Sequence, residues 1–326
     1  HRDLHLSIRR QRQMCIRDRM NTEQEWNQQI LIVDLDENFI NEYGGWPLPR
    51  SVYGDLITTT NAIPGITVLM PNKDIRGEDY DTYFSFRMSY KPTVLATAAS
   101  TQVTSTGTHV GTAQLGEDPL PWLYQYPGIL QPTPSLAVSA EGKGVVTSSP
   151  ELDGVTRRVP LVVNSQGKLY PSFALELLRV AIQDPSYQLK TGEEGIEWIR
   201  VPNYPLMNTD ANGRIFLNWN TKFYKQTGSE FINKPIEAPF VIFGVTAEGV
   251  APLVATPNGP KYPHEVQATV LHTIVEGNAL STPVWSTLAE ISITIVGMLL
   301  IILASYSIYI SPVSYTHLRA HETRED

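Results

Sequence analysis

Residues 29–60, QILIVDLDENFINEYGGWPLPRSVYGDLITTT, decide the fold class. The stretch opens with an apolar run that ends in acids, which predicts a strand over 29–36. GGWPLPR (44–50) excludes a helix interior, because proline lacks an N–H and pushes the preceding residue towards extended geometry. SVYGDLITTT (51–60) then predicts a helix, with Ser51 as its cap. A strand, a loop and a helix in this order indicate the start of a βαβ unit.

Apolar segments separated by turn-forming residues predict the remaining elements. Helices are expected over 170–183, with Pro171 in the first position, and over 263–277, ending at a glycine. Residues 107–150, rich in Gly, Pro, Ser and Thr, predict short irregular strands. Further strands are expected at 65–70, 93–100, 157–163, 196–201, 214–219 and 239–245. These elements predict one α/β domain over 26–280, with a mixed sheet flanked by helices.

The two ends of the chain differ from its body. The formal charge is −8, with 42% hydrophobic and 18% charged residues, which is typical of a globular protein. The body is acidic, which argues against nucleic acid as a partner, since phosphates need a basic surface. Residues 1–19 and 313–326 resemble translated sequencing-adapter sequence, notably QMCIRDR and SYTHLRAHE, and we expect both to be artefacts of a gene cut at both ends. The single cysteine, Cys15, lies in the first of these segments, so no disulfide is expected in the body.

An apolar segment near the C-terminus predicts a transmembrane helix over 288–310. Between Glu290 and Arg319 there is no Asp, Glu, Lys or Arg. ISITIVGMLLIILASYSIYI (291–310) spans about 30 Å as a helix, which matches the hydrocarbon core of a bilayer. Flanking Lys and Arg do not fix its orientation, because those beyond it lie in the suspect tail.

Few residues point to catalysis. Asp34 and Asp36 follow a strand as the two acids of a haloacid-dehalogenase-like phosphatase do, although Asn38 stands where that motif needs Thr or Val. The zinc pattern H-E-x-x-H fails at Ala268, so His264 and His272 are assigned to helix packing or solvent. The sequence therefore predicts no catalytic residue, metal site or cofactor, with the phosphatase kept as an alternative.

Three arginines are weak candidates for binding an anionic ligand: Arg50, Arg157 and Arg158. Arginine pairs carboxylates and phosphates through a planar, two-pronged contact. The alternative is that they cap or bridge acids of the chain itself, such as Asp34, Asp36 and Asp153.

Several blocks together resemble the CHASE type 2 domain family. IVDLDENFINEYGGWPLPRSVYGDLI (32–57) resembles the family's opening, in which a strand ending in Asp leads through a G-x-W-P-x-P-R turn into a helix. Further matching blocks occur in order at 150–179, 215–219, 240–260 and 263–285. The chain departs from the family at Pro71 and Asn72, where an acid is expected, and in having a single membrane helix.

The resemblance implies the periplasmic sensing portion of a bacterial receptor in the inner membrane, and not an enzyme in itself. Its output domain, an adenylate or guanylate cyclase or a protein kinase, would be missing. The implied partners are the membrane, an unknown small-molecule or envelope ligand, and a second copy in a homodimer. Trp46, a fourth weak ligand-binding candidate, is expected to anchor its turn in the body, and a membrane-tethered structural or adhesion protein stays an alternative.

Overall fold

The computed structural model describes residues 26–104, 110–277, 279 and 286–322, the last range without the side chains of 287 and 307–322. The segment 1–19, with Cys15, lies outside the described residues. The chain divides into two compact units, 1–280 and 281–326.

The first unit contains all eighteen described strands and seven of the described helices. The strands are β1 (Trp26–Leu35), β2 (Ile63–Ile66), β3 (Val94–Ser100), β4 (Gly111–Gly116), β5 (Gln125–Tyr126), β6 (Gly128–Leu130), β7 (Gly142–Val145), β8 (Arg158–Pro160), β9 (Val162–Ser165), β10 (Lys168–Pro171), β11 (Ser186–Gly192), β12 (Gly195–Arg200), β13 (Met207–Asn208), β14 (Arg214–Phe216), β15 (Lys222–Thr227), β16 (Phe240–Val245), β17 (Val254–Thr256) and β18 (Gly259–Lys261). The helices are α1 (Glu37–Glu42), α2 (Arg50–Thr58), α3 (Glu78–Tyr90), α4 (Pro134–Ser139), α5 (Phe173–Ala181), α6 (Gly228–Asn233) and α7 (Pro263–Glu276).

A seven-stranded mixed sheet forms the centre of this unit. Its strands run in the order β15-β1-β16-β2-β3-β6, and β7 also pairs with β3. All these pairings are parallel except β3 with β6. The parallel pairing that the sequence predicts is therefore confirmed, but β16 lies between β1 and β2, so the expected βαβ unit encloses a strand from far along the chain.

Helices cover both faces of the sheet. On β1, Ile30 and Ile32 face α5 and α7, whereas Leu31 and Val33 face the side of α1, α2 and α3. This is why the strand reads as a continuous apolar run and not as an alternating one. The α/β class with a mixed sheet flanked by helices is confirmed.

Four smaller sheets surround the central one: β10-β9-β5, β13-β12-β11-β4, β14-β8 and β17-β18. Residues 107–150 contribute short strands, as the sequence predicts, together with the short helix α4. The single strand expected over 157–163 is instead two strands, because β8 pairs with β14 and β9 pairs with β10 and β5.

Two helix starts differ from their predictions. Ser51 does not cap α2, which begins at Arg50 after Pro49. Pro171 ends β10, and Ser172 caps α5 by accepting a hydrogen bond from the Leu175 N–H at 3.4 Å. The end of α7 at Gly277 is confirmed, since this glycine adopts a left-handed φ of 63°.

The second unit contains the helix α8 (Ser286–Glu322). Its segment Leu288–Tyr306 has 19 residues and a mean hydropathy of 2.3, and none of it is buried. The segment is long and apolar enough to cross a bilayer.

Candidate ligand-binding cleft at the sheet edge

A cleft of about 400 Å³ lies where the parallel strands of the central sheet end. Val245 is the last residue of β16, residues 67–69 follow β2, and residues 146–148 follow β7. In open α/β sheets this edge is where ligands commonly bind. We call it the sheet-edge cleft, lined by Trp46, 67–69, 146–148, Val245, 250–252, Val254, Pro263 and His264.

The lining is mostly apolar, with a few convergent polar groups. The Thr67 hydroxyl donates to the Phe243 carbonyl at 2.9 Å, and the Thr147 hydroxyl accepts from the Ala99 N–H at 2.8 Å. Within the described part of the chain the Ser148 hydroxyl has no hydrogen-bond partner. No Asp, Glu, Lys or Arg is among the described lining residues. The cleft therefore suits a small, largely apolar molecule with one or two polar groups.

A buried Asp–His pair fixes the helix that begins at the cleft. His264, the second residue of α7, is 1% exposed, and its Nε2–H donates to Asp34 Oδ1 at 2.8 Å. Gly244 makes room for the imidazole, since a Cβ there would lie 2.1 Å from the ring. The Tyr262 ring stacks on it with centroids 5.8 Å apart. The pair thus connects β1, β16 and α7 in one packed cluster.

The phosphatase alternative requires Asp34 and Asp36 to converge on a substrate. Asp34 is instead bonded to His264, and the Asp36 carboxylate caps α1 by accepting the Phe39 N–H at 2.9 Å. Both carboxylates accept hydrogen bonds that stabilise the fold, so the geometry favours a structural role for Asp34 and Asp36 over a catalytic one. His272 lies at the other end of α7, where its Nδ1 accepts from the Asn27 side-chain amide at 2.9 Å, in agreement with the packing role predicted for it.

A second ionic contact supports the start of α7. Glu265 accepts the Tyr262 N–H at 2.7 Å and pairs with Lys225 of β15. Burial raises the pKa of Glu265, but the hydrogen bonds from Lys225 and Tyr262 outweigh it, so the net pKa lies below its ordinary value of 4.5. A carboxyl with a lowered pKa stabilises the fold above the unfolded-state pKa, and that contribution is lost as the pH falls through the folded-state pKa.

The Glu265→Gln variant is expected to flatten the dependence of stability on pH below about pH 4.5. The amide keeps the shape of the side chain but cannot release a proton on folding. The measurement is the urea unfolding free energy of the full chain in detergent between about pH 3 and 6. Glu248→Gln, at an exposed glutamate, is the control, and an identical slope for Glu265→Gln and the parent would contradict the expectation.

Arg50 lies in a clamp made by the acid-containing stretch 71–81. Its guanidinium donates to the Asn72 carbonyl at 3.3 Å and its Nε lies 3.5 Å from Asp81 Oδ1. Its backbone N–H donates to Asp74 Oδ2 at 2.7 Å, which replaces the expected Ser51 cap. Arg76 closes the clamp by donating to the Pro47 carbonyl at 2.8 Å. GGWPLPR is therefore held by polar and charged groups 22 to 31 positions further along the chain.

The other two arginines are also engaged by acids of the chain. Arg157 makes a two-pronged contact with Asp153, at 2.9 and 2.7 Å. Arg158 makes another with Glu151, at 2.6 and 2.7 Å, and also donates to Asp210 at 3.0 Å. None of the three arginines lines the sheet-edge cleft. The geometry supports the alternative that they bridge local acids, with partners other than Asp34 and Asp36 for Arg50.

Of the four ligand-binding candidates, Trp46 is the one that the structure places in the sheet-edge cleft. The prediction that its side chain is buried and anchors the turn is wrong. Its side chain is 42% exposed, because the turn presents the indole at the mouth of the cleft while Leu48 fills the core beneath it. Trp46→Ala is therefore expected to lower the free energy of unfolding by no more than about 1 kcal/mol, not by several. Urea unfolding of the full chain checks this, and a loss of about 3 kcal/mol would restore the anchoring role.

The polar residues of the cleft were missed from the sequence. Their hydroxyls and imidazole come from segments far apart in the chain, and no spacing connects them. One local signal was present: Gly244 interrupts the buried strand PFVIFGV (239–245), and glycine inside such a strand marks a close approach by another group. That group is His264.

Comparison with known sequences identifies the family. The sequence model of the CHASE2 domain matches residues 3–304, nearly the whole chain. The match begins within 1–19, and the foreign origin of that segment stays a prediction. No curated protein and no solved structure matches the chain. The resemblance carried by GGWPLPR and the later blocks is thus confirmed, and the chain belongs to the CHASE2 domain family.

Proposed function

We propose that this chain is the extracytoplasmic sensing portion of a bacterial transmembrane receptor, and that its ligand binds in the sheet-edge cleft. CHASE2 domains are sensory domains of signalling receptors and are extracytoplasmic, not catalytic. The observation that carries the ligand site is the cleft itself, which opens at the carboxyl edge of the sheet with the unpartnered Ser148 hydroxyl in its wall.

The helix α8 is proposed as the anchor in the inner membrane. Its apolar segment has the length that a bilayer requires, and the chain reaches it soon after α7 ends at Gly277. An output domain, either a nucleotide cyclase or a protein kinase, would follow in the full receptor.

Transmission would proceed through α7. This helix begins at the cleft with Pro263 and His264 and ends at Gly277, after which the chain continues towards α8. A ligand acts only if it binds two arrangements of the protein with different affinity, because only then does it shift their populations. A ligand in contact with the first turn of α7 is placed to favour one position of that helix.

The test is a ligand screen on the full chain in nanodiscs, read as thermal stabilisation. A compound at concentration L that binds only the folded protein stabilises it by RT ln(1 + L/Kd), so the unfolding temperature rises with the logarithm of its concentration above Kd. Stabilisation should be weakened by Trp46→Ala and by Ser148→Ala, neither of which removes a hydrogen bond of the fold. Trp26→Ala is the matched control, since Trp26 is also exposed, at 55%, but lies outside the cleft.

A hit that is insensitive to both cleft variants would contradict the cleft as the ligand site. A full receptor gene that ends soon after α8, with no signalling domain, would favour the tethered structural or adhesion protein instead.

A further inference from the structure

A second cleft, of about 670 Å³, lies beside the short helix α4. Its lining includes three prolines: Pro71, Pro132 and Pro134. We call it the proline-walled cleft. It shares no lining residue with the sheet-edge cleft, although Pro71 belongs to the segment after β2 whose residues 67–69 line that other cleft. Three polar side chains belong to this otherwise largely apolar lining: Thr104, Gln131 and Lys143. The Thr104 hydroxyl already donates to the Ile129 carbonyl at 2.8 Å, which leaves Gln131 and Lys143 for a ligand.

Gln131 has both of its amide atoms buried, and within the described residues neither has a hydrogen-bond partner. It follows the last residue of β6 and precedes α4, so its backbone is fixed on both sides. Burying a polar amide without partners costs stability, and proteins keep few such groups. Both amide atoms are closed off from solvent, so a ligand in the cleft reaches them only if the Gln131 side chain turns towards it, and that turn gains hydrogen bonds for the donor and the acceptor alike.

Lys143 supplies a positive charge to the same cleft. Its ammonium donates to the Ala137 carbonyl at 2.8 Å, which uses one of its three N–H groups. Burial lowers the pKa of Lys143, the Glu176 carboxylate opposes this, and the Arg179 guanidinium adds to it. Glu176 is itself bound by Arg179 through two contacts of 2.8 Å, so the three side chains together carry one net positive charge.

The chemistry of this lining selects among ligand classes. A hydrocarbon would leave Gln131 unpaired, and a polyphosphate would need more than one net positive charge. A peptide group offers a C=O and an N–H, which match the donor and acceptor of a glutamine amide. A terminal carboxylate matches a lysine ammonium, and small apolar side chains match proline rings.

We propose that the proline-walled cleft binds the C-terminal end of a short peptide, with Gln131 paired to its last peptide group, Lys143 to its carboxylate, and the proline rings against its apolar side chains. This is a second binding site, independent of the sheet-edge cleft. It gives the sensing domain a route to recognise peptide fragments.

The test is calorimetric titration of the full chain in nanodiscs with N-acetyl-Ala-Ala. The same peptide with an amidated C-terminus differs only in the charge offered to Lys143. We expect the free carboxylate to bind about tenfold more tightly than the amide. This comparison needs no variant, so it does not depend on the folding of a mutant.

Two variants then assign the contacts. Gln131→Leu should weaken binding of the carboxylate peptide about tenfold or more while leaving the unfolding temperature unchanged or higher, because it removes an unsatisfied buried amide. Lys143→Met should weaken the carboxylate peptide alone and bring it to the affinity of the amidated one. Gln29→Leu, at an exposed glutamine of β1, is the matched control and should bind as the parent does.

Three results would overturn the proposal. The first is no heat of binding for N-acetyl-Ala-Ala up to about 10 mM. The second is equal affinity for the free and amidated peptides. The third is binding that survives Gln131→Leu at parental affinity, which would place the peptide elsewhere.

Discussion

Replacing Gly244 by alanine is expected to lower the free energy of unfolding by about 3 kcal/mol. The new Cβ would lie 2.1 Å from both Cγ and Nδ1 of His264, well inside van der Waals contact. The ring cannot retreat, because it is buried, bonded to Asp34 and stacked on Tyr262. The strand cannot retreat either, since β16 lies between β1 and β2 and is bonded to both. The cost is therefore one of space, with no contribution from backbone conformation.

The measurement is urea unfolding of the full chain in detergent, with His264→Ala and the Gly244→Ala/His264→Ala double variant alongside. His264→Ala removes the ring that the new Cβ meets, so the double variant should be more stable than the sum of the two single losses implies. Additive losses would show that the strain lies in β16 itself and not against the imidazole. A loss below about 0.5 kcal/mol for Gly244→Ala would show that the cluster accommodates a methyl group.

The elements that the sequence predicts correctly are those whose signals are local. β1, β3 and β16 are apolar runs bounded by turn residues, and α7 starts at a proline and ends at a glycine in the left-handed conformation. Local signals could not predict the order of the strands in the sheet. β16 lies between β1 and β2, although it comes about 180 residues after β2 in the chain.

The two wrong helix starts have the same cause. Ser51 is a residue type that commonly caps a helix, but the carboxylate that serves the start of α2 belongs to Asp74, 24 positions beyond Arg50. Pro171 suits the first turn of a helix equally well, yet β10 pairs with β9 through that residue. Local propensity is overridden here by contacts that only the folded chain brings together.

The candidate site was the least predictable part. The sequence pointed to a tryptophan and three arginines as ligand-binding candidates. Arg50, Arg157 and Arg158 instead form ion pairs with acids of the same domain and stabilise the fold. The polar groups proposed to bind ligands in the two clefts are a serine, a glutamine and a lysine that lie in no recognised motif. They are candidates because not all of their hydrogen-bonding groups have a partner. This can be recognised only once the neighbours of each side chain are fixed in space.

Asp74→Ala is expected to lower the free energy of unfolding by about 3–5 kcal/mol. The carboxylate is 2% exposed and accepts the backbone N–H of Arg50 at 2.7 Å and that of Arg76 at 2.9 Å. It also lies 3.8 Å from the Arg76 guanidinium. Among the described residues no other side chain caps α2, so the variant leaves a helix N–H unpaired together with a partly buried cation, Arg76.

Urea unfolding of the full chain measures the loss, and two variants place it. Asp74→Asn keeps one acceptor oxygen but no charge, and should cost about 1–2 kcal/mol. Asp79→Ala removes an exposed acid from the same stretch, and should cost no more than about 1 kcal/mol, as expected for an acid in the first turn of a helix. If Asp74→Ala were as mild as Asp79→Ala, Asp74 would not be what holds GGWPLPR. Its carboxylate would then be free for a ligand, which is the role that its bonds to the N–H groups of Arg50 and Arg76 argue against.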